Sequence, residues 1–325
     1  MEPSPDQVIE GLAKLFGEHP GCRATHARGV LCSGVFTPTS VARQLTRAPH
    51  MQRESVPVTV RFSNASGDPD LPDGKPDARG MATRFYYDGG YTDLVAITLP
   101  CFLARDPESF MALNRGFARV PGGTPRPRLA LAPFLLSHPE ALRGLAATVM
   151  RKPVSSYAHC RYNAVHAFKW IDKKGAERYV RYSWIPEEGE ISISRREGRR
   201  LERDQLQRDL WERLGRTPVR PIRFQLELQF ASKEELESNR VCDPTAVWGA
   251  KRGEPIVTAG AGDCQERFVR AGALELNGLD EGSGDPIAFD PTHVPDGIEP
   301  SGDKILSFRP RAYAVSFKRR TGATE

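Results

Sequence analysis

The sequence predicts an α+β fold built on an antiparallel β-sheet, with helices inserted between the strands. Three observations carry that expectation. Runs rich in β-branched and aromatic residues at 56–63, 81–87, 165–184 and 221–230 read as strands. The third run is a hairpin by its own chemistry. Phe168 to Ile171 leads through Asp172-Lys173-Lys174-Gly175 into an alternating return from Tyr179 to Trp184. Helical periodicity falls between the strands without the regular βαβ alternation that a parallel sheet needs.

The chain opens on an amphipathic helix within residues 1–20. Ser4 and Gln7 have capping-box spacing, Pro5 suits the first helical position, and Val8, Ile9, Leu12, Leu15 and Phe16 fall on one face. Apolar residues recur at helical spacing over 107–117, within 129–150 and over 201–214. The last helix is expected over 309–320, with Pro310 in its first turn. The loop 67–77 is rich in Gly, Pro and Asp, and the irregular stretch 239–267 is long enough to line a site or wrap a surface. No composition shift marks a linker, so residues 1–325 are expected to form one domain.

The chain carries 46 Lys and Arg against 41 Asp and Glu, a net charge of +5, with 39% hydrophobic residues. So small an excess of base argues against nucleic acid as a partner. No apolar run reaches the ~18 residues of a membrane span. Glu2, Asp6, Glu10 and Lys14 interrupt the segment that a secretory leader would keep apolar. The six cysteines (Cys22, Cys32, Cys101, Cys160, Cys242 and Cys264) include no CxxC pair, which suits reduced thiols in the cytoplasm. The oligomeric state is left open, a homodimer included.

Two groups of residues stand out for their chemistry. Arg309 and Tyr313 are four apart and share one helix face, to which Arg320 returns two turns later. Guanidinium groups beside a phenol favour the phenolate, a hard anionic ligand suited to ferric iron. Spacing alone leaves open a packed tyrosine with solvated arginines. Near the N-terminus, His26 follows Arg23 by three residues. A lone imidazole is an acid–base group or an ordinary core or surface residue.

Wider matches separate these readings. The run Gly297-Ile298-Glu299-Pro300-Ser301, then Asp303-Lys304, then Arg309 and Tyr313, resembles the proximal segment of haem catalases. The resemblance implies that Tyr313 binds the iron of a ferric haem b, that Arg309 stabilises its phenolate, and that Arg320 pairs with a propionate. Residues 23–29 resemble the distal-histidine segment, and 58–63 and 77–85 resemble the next two blocks in the same order. They imply His26 as the distal acid–base group, Ser63 as the residue that orients it, and Arg23 and Arg61 as propionate contacts.

Residues 93–107 resemble the family's DLVGNNTP run, with Phe110 where the family packs a phenylalanine over the haem. Here Ile97 replaces the first asparagine of that run. Thr98 replaces the second, which the resemblance casts as a holder of peroxide. Residues 163–169 add a His-x-Phe strand, in which His166 reads as structural.

The resemblance spans about residues 20–320 and implies a closed antiparallel β-barrel of the catalase type with inserted and packed helices. The long N-terminal arm and extra C-terminal helices of full-size catalases have no counterpart, so the chain resembles a catalase-related peroxidase. Such an enzyme reduces hydrogen peroxide or organic hydroperoxides with an organic electron donor. Weak catalase activity is expected, because Thr98 holds a second peroxide poorly. Two alternatives are an allene oxide synthase-like isomerase of fatty-acid hydroperoxides and a non-catalytic haem carrier or sensor.

Overall fold

The computed structural model describes residues 2–249, 267–280 and 287–322. Helix α1 (Pro5–Phe16) has its capping box: Ser4 Oγ accepts the Gln7 N–H while Gln7 Oε1 accepts that of Ser4. Strand β1 (Gly29–Pro38) and the short helices α2 (Ser40–Leu45) and α3 (Pro49–Gln52) lead to β2 (Val56–Asn64), β3 (Arg79–Tyr87) and β4 (Gly90–Ile97). Helix α4 (Pro107–Arg115), the ribbon β5 (Phe117–Ala118) with β6 (Arg126–Pro127), α5 (Leu131–Ser137) and α6 (Ala141–Met150) follow. Next come β7 (Tyr162–Asn163), β8 (Phe168–Ile171), β9 (Glu177–Pro186), α7 (Arg195–Gly198) and α8 (Gln205–Leu214). The chain ends with β10 (Ile222–Phe230), α9 (Lys233–Glu237), β11 (Phe268–Leu279), β12 (Ile298–Pro300) and α10 (Lys304–Thr321).

All strand pairs are antiparallel. The order β10-β11-β1-β2-β3-β4-β7-β9 closes on itself because β9 pairs back with β10. Eight strands therefore form a barrel with no open edge, and β8 and β12 extend it beside β9.

Side chains alternate across a strand, and on β2 both sets are buried. Val60 and Phe62 join the barrel core with Phe36, Phe85, Trp184 and Phe224. Phe36 meets Phe85 and Trp184 edge-on, with ring centroids 5.1 and 5.9 Å apart. Truncating one such ring costs about 3–5 kcal/mol. The other set on β2, Arg61 and Ser63, lines a cavity outside the barrel. By the same alternation Gly80 and Ala82 of β3, and Val95 and Ile97 of β4, line that cavity too.

Several expected boundaries shift. Helix α10 begins at Lys304 and not at Arg309, so Pro310 lies in its interior. The cause is the Asp303 carboxylate, which accepts the N–H groups of both Ile305 and Leu306 and starts the helix ahead of the proline. Proline has no N–H to give the Leu306 carbonyl, so that early cap secures a turn the proline weakens. The stretch 129–150 is two helices separated around Pro139, and the helix expected from 201 begins at Gln205.

Strands β1 and β11 carry no clear sequence signal. Gly34 stands where a Cβ would lie 2.1 Å from the Glu275 carbonyl, so close backbone approach and not β-propensity selects that residue. Of the stretch 239–267, residues 250–266 lie outside the described residues, and Cys264 with them. The other five cysteines are free thiols. Among the described residues no helix is long and apolar enough to cross a membrane.

Candidate active site

Helix α10 packs on α1, with Phe308 and Ala312 against Val8, Ile9 and Leu12. This contact turns Ile305, Arg309, Tyr313 and Arg320 toward the cavity, whose volume is about 570 Å³. The Tyr313 phenolic oxygen accepts from Arg309 Nε at 2.8 Å and also from Nη2 of the same guanidinium. Two N–H donors of one guanidinium converge on this oxygen and fix its position on the cavity wall. The helix start is fixed by a buried pair: His166 Nδ1 lies 2.6 Å from Asp303 Oδ2, both side chains being about 1% exposed. Burial holds His166 below the ordinary histidine pKa against the pull of Asp303. The contact accords with a structural His166, and it gives Asp303, a residue of the matched run, the role of helix cap.

The opposite wall is assembled by sheet register. Ser63 pairs with Gly80, Gly80 with Ile97, and Ile97 with Asn163, giving one row across β2, β3, β4 and β7. His26 sits over that row. Its Nδ1 lies 2.9 Å from Ser63 Oγ, its backbone N–H donates to Ala65 O, and Arg61 Nη2 donates to its carbonyl. A Cβ on Gly80 would lie 2.7 Å from the His26 ring, so the glycine makes room for the imidazole. His26 adopts φ +57°, a left-handed conformation that a non-glycine residue holds only when its surroundings impose it.

Burial pushes the His26 pKa down to about 3, with Arg61, Arg309 and Arg23 adding repulsion. The imidazole is therefore neutral at physiological pH. The same cations frame the cavity. Arg23 and Arg320 both donate to the Ile287 carbonyl, which places them together at one edge. Phe110 of α4 lines the cavity and stacks on Phe102 with ring centroids 5.7 Å apart.

Thr98 is not brought to the site. It follows cavity-lining Ile97, so alternation turns its side chain away, and its hydroxyl accepts the Arg79 N–H at 2.9 Å. The wall position assigned to Thr98 from sequence is held by Ile97. Asn163, which sequence reading did not single out as a site residue, also lines the cavity. Its amide is committed to Leu99 O and the Ser183 hydroxyl. The period of two along β4 was the available signal for Ile97, whereas nothing local marked Asn163.

Apolar walls, five lining arginines (Arg23, Arg61, Arg195, Arg309 and Arg320) and a lone lining carboxylate, Asp77, suit a flat apolar dianion. A phenolic oxygen on one side and a neutral imidazole on the other fit an iron porphyrin. Among the described residues no cluster of three or more His, Cys, Asp or Glu could hold a bare metal ion.

Comparison with known proteins agrees with this arrangement. The sequence profile of the family described as Catalase matches residues 6–324. A catalase-related peroxidase of Mycolicibacterium paratuberculosis (strain ATCC BAA-968 / K-10) is 38% identical over 324 residues, covering 98% of this chain and 95% of the relative. A catalase-related peroxidase of Synechococcus elongatus is 29% identical, covering 98% and 89%. A Vibrio vulnificus catalase is 30% identical over 97% of this chain but only 61% of its own length. A solved bacterial catalase superposes with a TM-score of 0.78 at 24% identity, over 97% of this chain and 60% of that one.

Proposed function

This chain belongs to the catalase family, and from that premise we propose that it is a haem peroxidase that reduces hydrogen peroxide or an organic hydroperoxide with an organic electron donor. The observation that carries the reading is one cavity walled by an Arg309-held tyrosine and by a neutral, Ser63-bound histidine, with Ile97 where the family's run begins its asparagine pair. Both catalase-related peroxidase relatives are matched over nearly their whole length, which supports it further.

A ferric haem b, when bound, would supply the oxidising chemistry. Tyr313 would be its ligand, and Arg309 would hold the phenolic oxygen as an anion. Arg23, Arg61 and Arg320 would offset the two propionates by charge-assisted hydrogen bonds, and Phe110 would pack on the distal side. His26 manages the proton. In the tautomer that donates Nδ1–H to Ser63 Oγ, Nε2 carries the lone pair, takes the proton of an incoming hydroperoxide and returns it to the departing oxygen. The O–O bond breaks, two electrons and two protons come from the donor, and the products are two waters from hydrogen peroxide or an alcohol and a water from an organic hydroperoxide. Ile97 offers no hydrogen bond to a second hydrogen peroxide, so dismutation is disfavoured relative to donor oxidation. The reading takes residues 1–325 as one unit around this cavity and places it in the cytoplasm, in keeping with the free thiols.

The deciding measurement follows oxygen release and oxidation of a phenolic dye by the haem-loaded protein at one peroxide concentration. Dye oxidation should exceed oxygen release. Vigorous oxygen release with little dye oxidation, or an epoxide formed from a lipid hydroperoxide without donor consumption, would overturn the proposal.

A further inference from the structure

Eleven large apolar side chains are exposed among the described residues, and five of them fall within residues 129–150. Leu129 is 96% exposed, Leu136 86%, Met150 74% and Val149 65%. They follow helical geometry. On α6, Leu142, Ala146 and Val149 have the i, i+4, i+7 spacing of one stripe, and Leu129, Pro133 and Leu136 repeat it into α5. The inner faces of the two helices are used by Leu131, Phe134 and Ala141 to pack on Leu113 of α4.

The same segment carries charge of one sign. Residues 115–152 hold seven Lys and Arg against a single acid, Glu140, so this stretch carries +6 in a chain whose total is +5. Arg126, Arg128 and Lys152 are exposed beside the apolar stripe. Arg195 of α7 adds a further cation, held by the Val149 carbonyl and by no carboxylate among the described residues. Leu145, Thr148 and Val149 of α6, with Phe117, Thr124 and Arg195, also line the cavity. Val149 and Arg195 are exposed, so the cavity opens where the patch lies.

Exposed leucine, valine and methionine ringed by guanidinium and ammonium groups complement one kind of surface: acyl chains beneath anionic headgroups. A second copy of the chain is the poorer occupant, because a two-fold contact would press two patches of charge +6 together. A nucleic acid is poorer still, since the centre offers aliphatic side chains and no aromatic stacking platform. We propose that α5, α6 and their basic flanks seat the protein peripherally on an anionic lipid surface, with the cavity mouth against the bilayer. Resting on the peroxidase reading, the peroxide admitted there is one carried in the lipid.

The test is sedimentation of the haem-loaded protein with phosphatidylglycerol–phosphatidylcholine vesicles against pure phosphatidylcholine vesicles. The protein should sediment with the anionic vesicles, much less with the neutral ones, and should be released by salt. The variants Leu136→Ser/Met150→Ser and Arg126→Gln/Arg128→Gln/Lys152→Gln should each bind about tenfold more weakly or worse. Both should keep wild-type turnover of hydrogen peroxide and an unchanged thermal midpoint. No binding to anionic vesicles, binding unaffected by either variant, or variants that change only the oligomer mass in light scattering would each overturn the docking. Sedimentation needs no turnover, so a protein that binds these vesicles but oxidises no donor supports docking while removing the peroxidase reading.

Discussion

The two walls of the cavity were built by different means. The Tyr313 wall is local: Arg309, Tyr313 and Arg320 lie on α10, and helical spacing alone brings them to one face. The His26 wall is non-local. It draws His26 from a loop, Ser63 from β2, Gly80 from β3, Ile97 from β4 and Asn163 from β7, and only the barrel register puts them in a row. A substitution on the helix therefore changes one residue's chemistry. One on the sheet moves its neighbours as well.

The sharpest break of that comparison is Tyr313→Phe. It removes a phenolic oxygen held by two donors and should cost most of the bound haem, read as Soret absorbance per protein. Full occupancy with an unchanged spectrum would show that the iron is held elsewhere. On the other wall, His26→Ala should leave haem in place and slow the reaction with peroxide by about 10²–10⁴, measured by stopped-flow mixing.

The pH profile tests the same histidine. Its folded pKa of about 3 lies below the ordinary 6.5, so the unfolded chain binds the proton more readily between those values. The stability His26 contributes is complete above 6.5 and is lost as pH falls toward about 3. Its proton-accepting form persists across that window, so the peroxide rate should be flat from neutrality down to about pH 5. A rate that halves near 6.5 would show an unshifted histidine.

Gly80→Ala tests whether the sheet row positions the imidazole. The new methyl would meet the His26 ring at 2.7 Å, at an overpacking cost of about 1–3 kcal/mol. A lower thermal midpoint and a slower peroxide reaction at unchanged haem content are expected. An unaltered peroxide rate would remove the steric link.

The smallest effect separates two neighbouring residues. Ile97→Asn places an amide on the cavity wall and should shift the ratio of oxygen release to dye oxidation by about tenfold, the worth of one good hydrogen bond to a reacting group. Thr98→Asn should leave that ratio alone, because residue 98 faces away and serves the Arg79 N–H. The opposite result, with Thr98→Asn active and Ile97→Asn silent, would return peroxide binding to position 98.

The sequence by itself determined the parts written into one stretch of chain. The capping box of α1, the hairpin turn at Asp172 to Gly175 and the Arg309–Tyr313 spacing depend on residues a few positions apart, where sequence distance is spatial distance. It also carried enough motifs, in order, for the family and the barrel to be recognised. Tertiary structure alone decided which side of β4 faces the cavity, why Gly80 must lack a side chain, and that Asp303 caps α10 while bound to His166 from far along the chain. It also set the basic and apolar stretch 115–152, a local concentration that the net charge of the whole chain conceals, beside the cavity. Strand pairing, closure and helix packing join residues tens to hundreds of positions apart, and their contacts leave no local pattern to read.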